Sequence, residues 1–486
     1  MTDKHQNRWA GKIFNGAWVA GRGAPAQAIE AATGTPLADL GTADAADVDA
    51  SVAIARKAQG AWAATPFDQR AEILRRVAQL IKARAEEINH WNIRECGSIP
   101  PKAEWELQAT YEQAQMAAAM PMQPIGAVYP SAMPGRTNTC QRVPVGVVGV
   151  IAPWNFPLLL GMRSVLPALA VGNTVVLKPD LQSAVCGGVL MAEIFEEAGL
   201  PAGVFHMLPG GPKTGAALVA HPEVDMISFT GSTRVGREIG QVCGGMLKKV
   251  ALELGGNNPM VILDDADLDV AASCAAWGAF LHQGQICMQA GRHLVHRQVA
   301  EAYARRLAER AARLVVGDPA SGPVHLGPLI NRQQAERVED IVNRSVAMGA
   351  RVVTGGMRDG AFYPATVLTH VTPDMPAFTE EIFGPVAPIT VFDSDDEAVA
   401  LVNRSAYGLA AAVHSASVPR ATALATRLRA GMIHVNDQTV NNEFHIPFGG
   451  MGASGTGGRF GGPANFDAFT QWQWLSVMPS GIEYPF

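Results

Sequence analysis

Between residues 145 and 230 the chain repeats one pattern: VGVVGVIA, NTVVLK, GVFHML and DMISFT are short apolar runs, rich in β-branched residues and separated by stretches of helical length. A strand that is apolar at nearly every position has no face to give to water, so both of its sides must be covered. Helical crossovers supply that cover and return the chain for the next parallel strand. The pattern therefore predicts a doubly wound α/β layer. A second series, PMVIL, RHLVH, ARVVTGG, APITVF and AAVHS, begins after Glu253 and predicts a second α/β layer. Upstream, residues 46–63 place Val48, Val52, Ala55 and Trp62 on one helical face. Residues 68–88 do so with Ile73, Leu74, Val77, Leu80, Ile81 and Ile88, and Asp68 is the expected cap of that second helix.

The segments between these layers are equally readable. Residues 121–141, rich in Pro and small polar residues, read as a linker or hairpin, and the tail DAFTQWQWLSV alternates as an edge strand does, with a neighbouring subunit as a candidate partner. The uncharged run 143–162 has transmembrane length, but Pro144, Pro153 and Pro157 interrupt it, so it reads as a buried strand entering a loop. A net charge of -6 and the absence of any Lys/Arg run argue against a nucleic-acid partner. The six cysteines lie far apart with no CxxC pair, which points to reduced thiols and a cytoplasmic setting rather than to zinc or a disulfide framework. The opening MTDKHQNRWAGKIF lacks the apolar core of an export signal.

Several short stretches carry chemistry. GMGASG at 450–455 matches the dinucleotide fingerprint GxGxxG, but it follows HIPFG rather than a strand and opens no clear helix, so it reads as a loop with close backbone approach. FTGSTRVG at 229–236 has the better setting: a strand, a turn at Gly231, and Ser232 and Thr233 to cap a helix whose N-terminus attracts an anion. It is either a pyrophosphate site or an ordinary capped turn. Lys178 ends NTVVLK, where open α/β sheets bind ligands, and is either a nucleotide contact or a solvated lysine. Glu253, in VALELGGNNP, is either a partly desolvated general base or a solvent-facing strand end. Cys287 lies in HQGQICMQAGR, where Gly284 and Gly291 permit close backbone approach, Gln283 and Gln285 are poor core residues, and Arg292 adds positive charge. A free thiol is only a few per cent ionised at pH 7, so a nucleophilic role needs an activating neighbour. Asn155 in APWNFP is positioned to donate its amide to an oxyanion.

Taken in order, PWNFP at 153–157, FTGST at 229–233, ELGG at 253–256, GQIC at 284–287, EEIFGPV at 380–386 and PFGG at 447–450 resemble the NAD(P)-dependent aldehyde dehydrogenase superfamily over nearly the whole chain. The resemblance implies two doubly wound domains plus a small β region: a dinucleotide-binding domain from 1–125 and 145–253, a catalytic domain at 254–455, and oligomerisation strands from 126–144 and 456–486. A homodimer or homotetramer follows from it. It also implies Cys287 as nucleophile, Glu253 as general base, and Asn155 with the backbone N–H of Cys287 as oxyanion hole. Lys178 and Glu381 resemble the residues that hold the two riboses, Phe383 packs near the nicotinamide, Ser232 meets the pyrophosphate, and Gly231 and Gly236 let the cofactor approach. Trp154 and Leu254 belong to the same cofactor set, and no metal is required. Phe156 and Phe448 fall where the family lines its substrate entrance and are suited to clamp a flat ring.

Two positions depart from the family pattern. Leu181 replaces the common ribose-binding glutamate, which leaves both NAD and NADP open with NAD slightly favoured, and Phe460 replaces a glutamate linked to proton movement. KPDLQ at 178–182 and GTGGRFGG at 455–462 look most like bacterial members acting on aromatic aldehydes such as benzaldehyde or salicylaldehyde. The rival readings are an acylating enzyme that passes its thioester to coenzyme A, and a binding protein that kept the fold without activity. Glu253 argues against the first, and the joint presence of Cys287, Glu253 and Asn155 against the second.

Overall fold

The apolar runs form the strands expected of them. A computed structural model describes residues 8–457 and 460–486; the first seven residues of the chain, and Gly458 and Arg459 of the GTGGRFGG run, lie outside the described residues. One seven-stranded sheet has the spatial order Lys249–Glu253, Met226–Thr230, Val147–Ile151, Thr174–Lys178, Phe205–Met207, Lys12–Phe14 and Trp18–Ala20. Its first five strands are parallel, and the last two run antiparallel at the edge. Side-chain alternation divides its two faces. Val148, Val150, Val175 and Leu177 pack with Leu74, Val77, Leu158 and Leu166. On the other side Val147, Val176 and Ile227 pack with Val48, Val52, Leu218 and Ile239. Burial of each such side chain contributes about 1.5–3 kcal/mol.

The second sheet follows the same logic. Its order is Arg351–Thr354, Thr366–Thr369, Val386–Phe392, Ala290–His296, Asn258–Ile262, Ala410–His414 and Met432–Val435, all parallel except the antiparallel Arg351–Thr354 edge. Val261, Leu294 and Val413 pack with Val338, Ile341 and Leu424 on one face, while Met260, Ile262 and Val295 pack with Ala275, Tyr303 and Leu307 on the other. The architecture is two doubly wound α/β layers. A separate three-stranded antiparallel sheet places Thr137–Pro144 between Thr470–Val477 and Gly126–Tyr129. Val128, Tyr129, Trp472, Trp474 and Leu475 are exposed on it.

Some local expectations need correction. The helix read over 68–88 is two helices, Phe67–Ala83 and Ala85–Cys96, broken where Arg84 leaves helical geometry at φ -100° and ψ 23°. The Arg84 guanidinium there reaches Glu87 at 2.8 Å and Glu193 of a neighbouring helix at 2.5 Å. Glu193 is a tertiary partner that periodicity cannot see. Asp68 is not the cap: Pro66 occupies that position, and Asp68 sits in the first turn, where its charge suits the helix dipole. The tail is only partly a strand, because Ala464–Phe469 is helical before Thr470–Val477 begins. The uncharged run 143–162 resolves into a buried strand, a turn and the start of the helix Pro157–Ala170. Among the described residues no helix is long and apolar enough to cross a membrane.

The helix Ala45–Ala63 is anchored by Trp62, which is 1% exposed and donates its indole N–H to Leu169 O at 3.0 Å. Trp62→Ala should destabilise the chain by about 3–5 kcal/mol and Trp62→Phe by about 1 kcal/mol, read as successive shifts of the urea midpoint. Equal midpoints for the two variants would show that the hydrogen bond and ring volume are not the anchor.

Candidate active site

In the first sheet the chain runs outward from Val147–Ile151 through Thr174–Lys178 to Phe205–Met207, then returns to the other side of Val147–Ile151 with Met226–Thr230 and Lys249–Glu253. The direction of winding reverses between Val147–Ile151 and Met226–Thr230, and such a reversal opens a crevice at the carboxyl ends of the strands. Lys178 and Glu253 are the last residues of their strands, Asn155 follows Ile151, and Ser232 follows Thr230. Sequence positions spread over about a hundred residues therefore meet at one rim.

Cys287 reaches this rim from the second layer, on a strained loop just before Ala290–His296. His282, Gln283 and Gly284 have φ of 49°, 55° and 68°. Left-handed conformations of non-glycine residues cost of order 1–3 kcal/mol each and persist only where the surroundings enforce them. Here the Gln283 amide donates to Gly97 O at 3.0 Å and Pro328 O at 2.8 Å. Ile330 N–H donates to the Gln285 side-chain oxygen at 2.9 Å. Gln283 and Gln285 are thus fully buried, contrary to the expectation that they are poor core residues: their amides serve buried backbone. The Asn258 amide donates to Cys287 O at 2.8 Å and Gln289 O at 2.7 Å. From the opposite layer, Asn155 donates one amide N–H to Gln285 O at 2.8 Å, which ties the PWNFP turn to the cysteine loop and leaves its second N–H.

The sulfur is half-buried in an apolar cluster with Phe156, Leu159, Leu160, Ile286, Met288 and Phe448. Burial pushes the Cys287 thiol up to about 12; Arg163 works against that rise, Glu381 and Glu253 add to it, and the Met288 N–H opposes it. Arg292, expected to supply positive charge here, does not: it is 2% exposed and donates to the carbonyls of Asn257, Leu401 and Val402. Arg163, missed in the sequence, takes that place. It is 8% exposed on the otherwise apolar helix Pro157–Ala170, with its guanidinium 4.2 Å from the centroid of Phe448. A single charge inside so apolar a helix was the signal available.

The residues expected to hold the cofactor lie around the rim. Ser232 caps the helix Thr233–Gly245, although its hydroxyl is a long 3.5 Å from Val235 N. Thr233, expected as a second cap, instead donates to Ala453 O at 2.9 Å. At Gly236 a Cβ would overlap Leu254, and at Gly231 it would press on the Phe229 ring. Lys178 is 9% exposed, so the solvated-lysine alternative fails; burial lowers its pKa and Asp180 raises it. Its ammonium donates to Pro179 O at 3.2 Å, with N–H groups left for a hydroxyl ligand. Glu381 accepts the Gly256 N–H at 2.9 Å, and burial raises its pKa to about 7 against the pull of that bond and Arg337. Phe383, at φ 54°, meets Trp154 edge to face at 5.5 Å. Oxygen acceptors and donors, a helix N-terminus and glycines with no room for a side chain fit a dinucleotide.

GMGASG is a loop, as expected. Met451–Gly452 pairs with Tyr407–Gly408, Gly455 bridges Glu253, and Leu254 N–H donates to Ser454 O at 2.9 Å. The loop fixes the strand end that carries Glu253, which is 4% exposed. Phe156 lies edge-on to His282 at 5.3 Å and to Trp105 at 5.9 Å, and Trp105 lies 6.2 Å from Phe444. Met162, Arg163, Phe444, Phe448 and Phe460 line an adjoining cleft. Phe460 exchanges backbone bonds with Phe448 at 2.7 and 2.8 Å. It holds the cleft wall and has no proton to relay.

The model of the aldehyde dehydrogenase family matches residues 18–475. The chain is 58% identical over 483 residues to a protein of Pseudomonas putida named benzaldehyde dehydrogenase (NAD(+)), covering 99% of each chain. It is 52% identical over 487 residues to a vanillin dehydrogenase of Amycolatopsis, covering 100% of each. Among solved structures, lactaldehyde dehydrogenase from Escherichia coli superposes with a TM-score of 0.93 at 33% identity, covering 96% of this chain and 99% of that one.

A thiol held near 12 by burial should be alkylated slowly by iodoacetamide in the cofactor-free protein, with a rate that climbs steadily between about pH 7 and 9 without a plateau. Removing the cation that opposes burial raises the thiol further, so Arg163→Met should slow alkylation at every pH in that window. A plateau below about pH 8, or faster alkylation of the variant, contradicts this picture.

Proposed function

The chain belongs to the aldehyde dehydrogenase family and is an NAD(P)-dependent oxidoreductase, and from that premise we propose that it oxidises an aromatic aldehyde of the benzaldehyde type to the carboxylic acid, with Cys287 as nucleophile. The observation that carries this reading is the aromatic lining around the sulfur: Phe156 and Phe448 share its apolar cluster, with Phe444 and Trp105 beyond them. A flat ring gains about 0.5–1.5 kcal/mol from each well-placed aromatic contact. The names of the similar benzaldehyde and vanillin dehydrogenases agree with it.

The residues divide the work as follows. The Cys287 proton passes to solvent water as the sulfur attacks the carbonyl carbon and the carbonyl electron pair moves to oxygen. The free N–H of Asn155 and the backbone N–H of Cys287 hold that oxyanion, a term worth about 3–4 kcal/mol per donor. When bound, NAD(P) supplies the acceptor for the hydride that leaves as the C–O double bond re-forms. The product on the enzyme is a Cys287 thioester. Glu253 then takes a proton from water as it attacks the thioester, the C–S bond breaks, and the acid departs. Lys178 and Glu381 would hold the ribose hydroxyls of the cofactor, and Ser232 at the helix N-terminus would take its pyrophosphate.

We assign NAD rather than NADP as the preferred cofactor: Leu181 offers no cation to a 2′-phosphate, and a relative at 58% identity is named for NAD(+). The exposed apolar residues of the three-stranded sheet suit a homodimer or homotetramer. Widely spaced free cysteines suit a reducing cytoplasm.

Cys287→Ala should abolish NADH formation while retaining cofactor binding by fluorescence, and benzaldehyde should exceed a short aliphatic aldehyde in kcat/KM by about 10-fold or more. Turnover in the alanine variant ends the assignment of the nucleophile, and equal specificity constants end that of the substrate. Glu253→Gln should keep a single-turnover burst of NADH while steady-state turnover falls about 10²- to 10⁴-fold. Loss of the burst as well would mean that Glu253 is indispensable already at thiol deprotonation.

A further inference from the structure

Behind the PWNFP turn, on the helix Pro100–Ala119, lies a buried ion pair that the mechanism above does not use. Lys102 is 4% exposed and Glu106 0%. Three acceptors take the Lys102 ammonium protons: Glu106 Oε2 at 2.6 Å, Asn92 Oδ1 at 3.2 Å and the backbone oxygen of Asn155 at 2.9 Å. Glu106 is equally occupied. Its Oε2 also accepts the Asn92 amide at 2.7 Å, and its Oε1 accepts the backbone N–H groups of Leu158 and Leu159 at 3.0 and 3.1 Å. An ammonium has three donors and a carboxylate about four acceptor sites, so the pair is saturated.

The targets of these bonds lie on either side of the catalytic turn. Leu158 and Leu159 open the helix Pro157–Ala170, whose N-cap residue Phe156 offers no side-chain acceptor; Glu106 supplies one from another helix, where the dipole favours an anion. Lys102 grips the turn at Asn155 itself and lies 4.4 Å over the Phe156 ring. Cys96 adds a weak bond from its thiol to Trp154 O at 3.4 Å. A lone buried pair is poor evidence for stability, since two charges must leave water. A saturated pair whose bonds end on the backbone beside a reacting amide is better explained by geometry than by stability.

We propose that Lys102 and Glu106 are positioning residues for the oxidation, clamping the Asn155 turn so that the free N–H of its amide stays aimed at the developing oxyanion. This rests on the reading of Asn155 as oxyanion donor. Misplacement of such a group by about 1 Å costs up to about 100-fold in rate. The loss falls on kcat, because the donor matters more once the charge forms.

The test is a double-mutant cycle with benzaldehyde and NAD. Lys102→Met and Glu106→Gln, the latter keeping an acceptor for Leu158 and Leu159, should each lower kcat about 10- to 100-fold with KM and NADH affinity changed by less than about 3-fold. In an Asn155→Ala background the same substitutions should cost little more, since the group they aim is gone. Full multiplicative losses in that background, unchanged kcat in both single variants, or a change confined to KM overturns the proposal. If Asn155→Ala alone leaves kcat intact, the oxyanion reading fails first and the clamp fails with it. A loss on Asn155→Ala without one on Lys102→Met or Glu106→Gln sinks the clamp alone.

Discussion

The two layers meet through loops, and a loop buried between them has no neighbouring strand to take up its carbonyl oxygens. Side-chain amides take them up instead. Asn258 serves the carbonyls of Cys287 and Gln289, Gln289 those of Ala279 and Gly384, Gln283 those of Gly97 and Pro328, and Asn155 that of Gln285. An uncharged amide brings two donors without the desolvation cost of a cation, so it suits ground that must exclude water yet lacks a ladder. The position of the sulfur depends on this arrangement, because the backbone leading to it is left-handed at two non-glycine residues. Locally the path is spanned by the Gln285 N–H, which donates to His282 O at 3.0 Å, and the amide bonds add to it from distant loops.

Electrostatics at the sulfur are a balance rather than an activation. Burial and two carboxylates favour the thiol, and Arg163, with the Met288 N–H, offsets them in part. In the ligand-free protein the balance favours the protonated thiol. The same apolar surroundings that hold the proton on sulfur strengthen any hydrogen bond offered to an oxyanion.

What the sequence made legible was what depends on local pattern. Apolar runs such as VGVVGVIA can only be doubly covered strands, and residues placed just past them gather at one rim by topology alone. Asn155, Lys178, Ser232 and Glu253 all lie at or just past such strand ends. Features set by distant partners were not legible. Arg84 breaks a periodic helix for the sake of Glu193, Arg292 turns from the site to serve three carbonyls, and Gln283 and Gln285 are buried because loops far along the chain need their amides. A glutamine reads as polar in sequence and becomes core when buried oxygens await it.

The left-handed segment at 282–284 also bears on how the molecule ages under heat. Folded proteins hold only about 5–15 kcal/mol in reserve, and a stretch strained by a few kcal/mol draws on that margin at one spot. Loss of the Gln283 and Gln285 bonds to Gly97, Pro328 and Ile330 on heating would release that strain at the loop that carries Cys287.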